Sequence, residues 1–143
     1  LEQKFKEKNI KIIKNIDENL IVYAEHTSLV NSVINNLMTN ALKFSFPDSE
    51  IILKASQEND WVTISIRDFG VGMSEKLQKD IFEMRKTTSK IGTSGEVGTG
   101  FGMPLVKKFI NAYGGTIEIF SKKQEDDPQD HGSEIILTLR ADG

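Results

Sequence analysis

Apolar positions along the 143-residue chain fall into two kinds of spacing. Val30, Val33, Ile34, Leu37, Met38 and Ala41 recur at i, i+3, i+4, i+7 and predict an amphipathic helix. It starts at a Thr27 or Ser28 cap and runs to about Phe44, before Pro47 and Asp48. Val62, Ile64 and Ile66 alternate with Thr63, Ser65 and Arg67, the period of a half-buried strand over residues 61–68. A polar loop joins it to a strand over 51–56. Isoleucine-rich residues 9–16 predict a first strand, and a turn at 17–19 leads to a second short one at 20–24. Ser74 caps a short helix to about Met84, and residues 101–113 form another, closed by Gly114 and Gly115. Two last strands, 116–121 and 134–139, flank the acidic polar loop 122–132. The order β-β-α-β-β-α-loop-α-β-β predicts a mixed, mostly antiparallel sheet with about three helices on one face, a two-layer α/β sandwich.

Composition narrows the chemistry. The length suits one domain. There is no cysteine, which excludes disulfides, thiolate metal sites and a cysteine nucleophile, and two histidines are too few for a multi-histidine metal site. A net charge of −3 argues against a nucleic-acid-coating surface. No apolar run approaches the roughly 20 residues of a membrane span. The placement of glycine is more telling. Residues 1–69 contain none, seven glycines fall from Gly70 to Gly102, and five of these lie within residues 92–102. Residues 86–99 show no apolar period and are rich in Gly, Ser and Thr, an unusual length of loop inside a compact domain.

Three constellations can carry chemistry. Asn36, Asn40 and Lys43 lie within about 60° of one another beside the apolar helix stripe. Two amide oxygens and an ammonium suit Mg²⁺ with a polyphosphate, although the same residues also suit a plain solvated face. Asp68-Phe69-Gly70-Val71-Gly72-Met73 follows a strand and precedes a helix. Asp68 can accept a hydrogen bond from an exocyclic amine, and the glycines let a flat ring approach the backbone. A simple turn is the other reading. Gly98-Thr99-Gly100-Phe101-Gly102 runs into a helix start, where exposed N–H groups form an anion site, unless the glycines are only a hinge. Lys86, Thr87, Thr88 and Lys90 add phosphate donors on a segment able to close like a lid. Together the three suit an ATP site.

The segment from Asn36 through Asn40, Lys43 and Phe44 to Ser45 resembles the asparagine box of sensor histidine kinases. Residues 68–73 resemble their first glycine box, Ile81-Phe82-Glu83 their phenylalanine box and Gly98 to Met103 their second glycine box. Gly132-Ser133 is similar to their terminal Gly-Thr or Gly-Ser element. The boxes stand in family order. Met84-Arg85 replaces a common Pro-Phe, Arg140 replaces a common final proline, and Pro104 falls in the first turn of a helix, where proline is tolerated.

The resemblance implies a Bergerat-type ATP-binding fold of the GHKL superfamily, with ATP and Mg²⁺ as cofactors. Asn40 would ligate the metal with Asn36 assisting, and Lys43 would contact phosphate. Asp68 would take the adenine amine. Gly70, Gly72, Met73 and Phe44 would shape the base pocket, and Ser133 would hold a water beside it. Gly98, Thr99, Gly100, Phe101, Gly102 and Met103 would line the phosphate end with Lys86, Thr87 and Thr88 of the lid. Phe82 would brace the lid or fill the core. Hydrolytic relatives carry a Glu four residues before the metal-binding Asn; here that residue is Asn36, which cannot act as a base.

The implied activity is transfer of the γ-phosphoryl group to a histidine on a separate dimerisation domain. Neither His26 nor His131 sits in the His-Glu-x-x-x-Pro setting expected of the acceptor. Residues 1–8 would then be the end of a linker or helix from that domain and residues 9–143 the catalytic domain. Its partners would be that dimerisation domain and a response regulator receiver domain, with no nucleic acid and no membrane contact. The fragment would be monomeric and cytoplasmic. An anti-sigma-factor-type serine kinase, a weak hydrolase and a non-catalytic ATP-gated interaction module are the alternatives.

Overall fold

Alternating apolar residues build one five-stranded sheet, and the helical stripes cover one of its faces. The computed structural model describes residues 2–83, 93 and 102–141. The elements are α1 (Glu2–Glu7), β1 (Lys11–Ile16), α2 (His26–Ser28), a π-helical segment (Leu29–Ile34), α3 (Asn35–Phe44), β2 (Glu50–Glu58), β3 (Trp61–Asp68), α4 (Glu75–Asp80), α5 (Gly102–Ala112), β4 (Thr116–Lys122) and β5 (Gly132–Arg140). The strand order is β1-β2-β3-β5-β4. β1 runs parallel to β2, and the other neighbours are antiparallel. This is the expected α/β class with a mixed, mostly antiparallel sheet.

The core lies between sheet and helices. Val33, Leu37, Val106 and Ile110 from the helical layer meet Ile51, Leu137 and Leu139 from the sheet, all fully buried. On the other face Trp61, Arg140 and Phe120 stay exposed. The α1 helix is fastened to this core through Phe5. Lys8, just after it, donates to the carbonyls of Leu42 (2.7 Å) and Lys43 (3.4 Å) at the C-terminal end of α3.

Four local expectations change. Residues 20–24 form no strand. Their burial does alternate, with Val22 and Ala24 against the core and Ile21 and Tyr23 exposed. Among the described residues their backbone tie to the sheet is Tyr23 N–H to Arg140 C=O (2.8 Å), a single bond and not a ladder. The long helix is capped by Glu25, not Thr27 or Ser28. The longer carboxylate reaches the N–H groups of both Thr27 (2.7 Å) and Ser28 (3.0 Å). The helix also passes through the π-helical segment, which winds less per residue than an α-helix. The phase therefore slips between Val30 and α3, and Val30, expected on the buried stripe, is 46% exposed. The helix capped by Ser74, whose Oγ accepts from Leu77 N–H (3.1 Å), ends at Asp80 before a turn through Phe82.

Candidate functional site

The helix α3 carries Asn36, Asn40 and Lys43 half-buried on one face, beside the buried Leu37, Met38 and Ala41. Asn36 Nδ2 donates to the Ser32 carbonyl in the π-helical segment (2.5 Å). Its other amide atom, Oδ1, faces the first residue of α5: a β-carbon on Gly102 would lie 2.9 Å from it. The absence of a side chain at Gly102 thus lets the start of α5 approach the asparagine oxygen. Asn36 and Gly102, far apart in sequence, meet there.

Asp68 ends β3 and pairs in register with Ser133 of β5. It is 4% exposed, and its Oδ1 accepts Gly70 N–H at 2.9 Å. Burial pushes its pKa from 3.8 up to about 6, against the opposing pull of the Gly70 and Ser133 N–H groups, Arg67 and His131. Asp68 is therefore a desolvated hydrogen-bond acceptor at the mouth of the glycine turn, suited to a neutral polar donor.

The glycines of that turn have close protein neighbours. A β-carbon on Gly70 would lie 1.8 Å from the Phe44 carbonyl oxygen, and one on Gly72 would lie 2.0 Å from that of Lys122. The bare backbone seats the turn against the end of α3 and against β4. Gly72 also holds a φ of +74°, which glycine adopts without penalty. Met73 is buried, with its N–H on Ser121 Oγ (2.7 Å). Ser121 Oγ bonds in turn to Ser133 Oγ (2.7 Å). Phe44 and Met103 are buried, Met103 in the core. Phe82 is half-buried, with Lys107 Nζ 5.5 Å from its ring centroid.

Lys86, Thr87, Thr88, Gly98, Thr99, Gly100 and Phe101 lie outside the described residues. Thr93 from the same stretch is described, and no sequence pattern singles it out. Its N–H donates to Lys43 C=O (3.1 Å) and its hydroxyl to Ser45 C=O (2.5 Å), at the last turn of α3. Ser121 and His131 carry no sequence signal either. His131 bonds the Gly70 carbonyl at 2.6 Å. No spacing rule marks these residues, because each acts on a segment distant in sequence. Among the described residues no cluster of three His, Cys, Asp or Glu could hold a metal. The oxygen donors at the α3–α5 junction are amides.

Residues 25–143 match the profile of the family described as histidine kinase-, DNA gyrase B-, and HSP90-like ATPase. The chain is similar to the sensor protein KdpD of Clostridium acetobutylicum, 35% identical over 80% of this chain and 13% of that one. It is also similar to the adaptive-response sensory kinase SasA of Microcystis aeruginosa, 33% identical over 94% of this chain and 33% of that one. It thus spans only a fraction of the length of these relatives. Among solved structures, the nucleotide-free catalytic domain of histidine kinase ThkA superimposes with a TM-score of 0.79 at 25% identity, covering 98% of this chain and 84% of that one. The chain belongs to the histidine kinase-, DNA gyrase B-, and HSP90-like ATPase family, as an ATP-binding domain of the sensor histidine kinase type.

Proposed function

We propose that this domain binds Mg·ATP and passes the γ-phosphoryl group to a histidine on a separate dimerisation domain, which then serves a response regulator. The observation that carries the reading is the pairing of a buried acceptor, Asp68, with an asparagine oxygen set against the start of α5. A nucleotide laid across the domain meets both: its exocyclic amine at Asp68, its phosphates at the α5 N-terminus and the α3 face.

Each residue then has one task. Asp68 accepts the adenine amine. Asn36 and Asn40 would hold Mg²⁺ through their amide oxygens; the Ser32 carbonyl, by taking Asn36 Nδ2, leaves Oδ1 as the donor atom. When bound, the cation supplies positive charge shared among phosphate oxygens. Lys43 adds charge from the same helix face, and the first turn of α5 offers backbone N–H groups. The acceptor imidazole nitrogen forms the new bond to phosphorus. The bond from phosphorus to the β,γ-bridging oxygen breaks, and ADP leaves with that electron pair.

Two features favour transfer to an external histidine over hydrolysis. Asn36, an amide, cannot take a proton from water. His131 has its Nδ1 committed to Gly70, and His26 is exposed at the start of α2, separated from Asn36 by the whole π-helical segment. Histidine kinase ThkA has been crystallised in complex with the response regulator protein TrrA. By analogy a receiver domain is the downstream partner here. No helix among the described residues is long and apolar enough to cross a membrane. The proposed setting is the cytoplasmic part of a sensor protein.

The test mixes the purified domain with a separately made dimerisation domain and radiolabelled ATP. Acid-labile, base-stable label should appear on the acceptor histidine, with little free phosphate released. Tight ATP binding without transfer, or phosphate release alone, would overturn the transfer step.

A further inference from the structure

We propose that His131 is a positioning residue for adenine recognition: its imidazole holds the Gly70 carbonyl, fixes the backbone of that residue and so helps to aim Asp68 at the base. The inference rests on the ATP reading above. His131 lies in the loop between β4 and β5, in a polar, acidic stretch. In the fold that loop turns back over the first glycine turn and is fastened to it twice. Gln124 N–H donates to Val71 C=O (3.0 Å), and His131 Nδ1 lies 2.6 Å from Gly70 C=O. A carbonyl can only accept, so Nδ1 carries the proton in this contact.

Residue Gly70 is therefore held on both sides of its α-carbon, through the peptide unit before it and the one after it. Its N–H donates to Asp68 Oδ1 (2.9 Å) and its C=O takes the His131 proton. Asp68 is 4% exposed and has little water to orient it, so the direction of its second oxygen depends on the N–H groups of Gly70 and Ser133. The imidazole is itself fixed. Its ring meets Phe46 edge-to-face at 6.1 Å, and Arg67 Nη2 donates to the His131 carbonyl (3.3 Å) and pairs with Asp130 (3.3 Å). Phe46 lies just beyond α3, Arg67 on β3 and Asp130 in the same loop. Phe46 thus packs the ring and Arg67 ties its backbone, and the ring's donor ends two residues from the base-reading carboxylate.

Three variants test this. His131→Leu removes the donor, His131→Gln moves it out of reach of Gly70, and His131→Asn keeps an N–H close to the Nδ1 position. Calorimetric titration with Mg·ATP and Mg·GTP gives both affinity and base preference. The Leu and Gln variants should lose about tenfold in ATP affinity and most of their ATP-over-GTP preference. The Asn variant should stay within about threefold of wild type. The rate of transfer at saturating ATP should be unchanged in all three, because the group acts on the base and not on the phosphates. Wild-type ATP affinity in the Gln variant, or equal losses for ATP and GTP, would overturn the positioning role alone. Wild-type protein that binds no adenine nucleotide would instead overturn the ATP reading, and this role with it.

Discussion

A single buried carboxylate sets much of the behaviour at the residue scale. Asp68 holds its proton more tightly in the folded protein (pKa about 6) than the usual 3.8, and burial is the main cause. A group whose pKa rises on folding favours the native state most below its unfolded value. Stability should therefore fall as pH rises from about 3.8 through about 6 and then level off, a loss of roughly 3 kcal/mol from this group. Urea unfolding across that window should show the decline in wild type and its absence in Asp68→Asn, which has no proton to lose. The same variant should weaken ATP binding about tenfold or more, because its amide offers donors as well as an acceptor. Unchanged affinity would place the base elsewhere. Asp68 and Asn36 were legible in the sequence because each sits in a short pattern with a distinctive order. Thr93, Ser121 and His131 were not. Each bonds to a backbone or side-chain group that only folding brings near.

Helices and strands as units were more legible than their ends or phases. The apolar stripe of the long helix is real from Val33 onward, but a π-helical segment breaks its phase, and Val30 falls outside it. Spacing arithmetic assumes constant winding, so it cannot see such a slip. It also assigned the cap to the usual small residues, while Glu25 takes the two N–H groups. The other end of this helical run is secured by an interaction that no helix rule would find. Lys8 Nζ, from beyond α1, occupies the C-terminal carbonyls of Leu42 and Lys43, where the helix dipole favours a cation. Lys8→Met keeps most of the apolar stem and removes the ammonium, leaving a buried carbonyl without that donor. The variant should lose about 1–3 kcal/mol in chemical denaturation. A loss indistinguishable from zero would mean that the carbonyls find water instead.

For the whole molecule, alternation identified strands but not their neighbours. Nothing in a single strand's pattern says that β1 runs parallel to β2, or that β5 lies between β3 and β4. Such choices are made by the packing of the completed sheet against α3 and α5. The buried Leu137 and Leu139 of β5 belong to the core shared by both layers. Leu137→Ala should destabilise the entire domain by about 2–5 kcal/mol in a single cooperative transition. A local effect, seen by hydrogen exchange only in β4 and β5, would show instead that this edge opens independently.

The position of β5 has a consequence for biosynthesis. A chain leaving the ribosome presents β1, β2 and β3 early and β4 later, but the strand that joins them comes after both. Until residues 132–140 emerge, β3 has an open edge, β4 has no partner in the sheet, and Asp68 lacks its register mate Ser133. Translation order and assembly order therefore diverge. Asn36, Lys43, Asp68 and the glycine turn are all synthesised before the element that completes their scaffold.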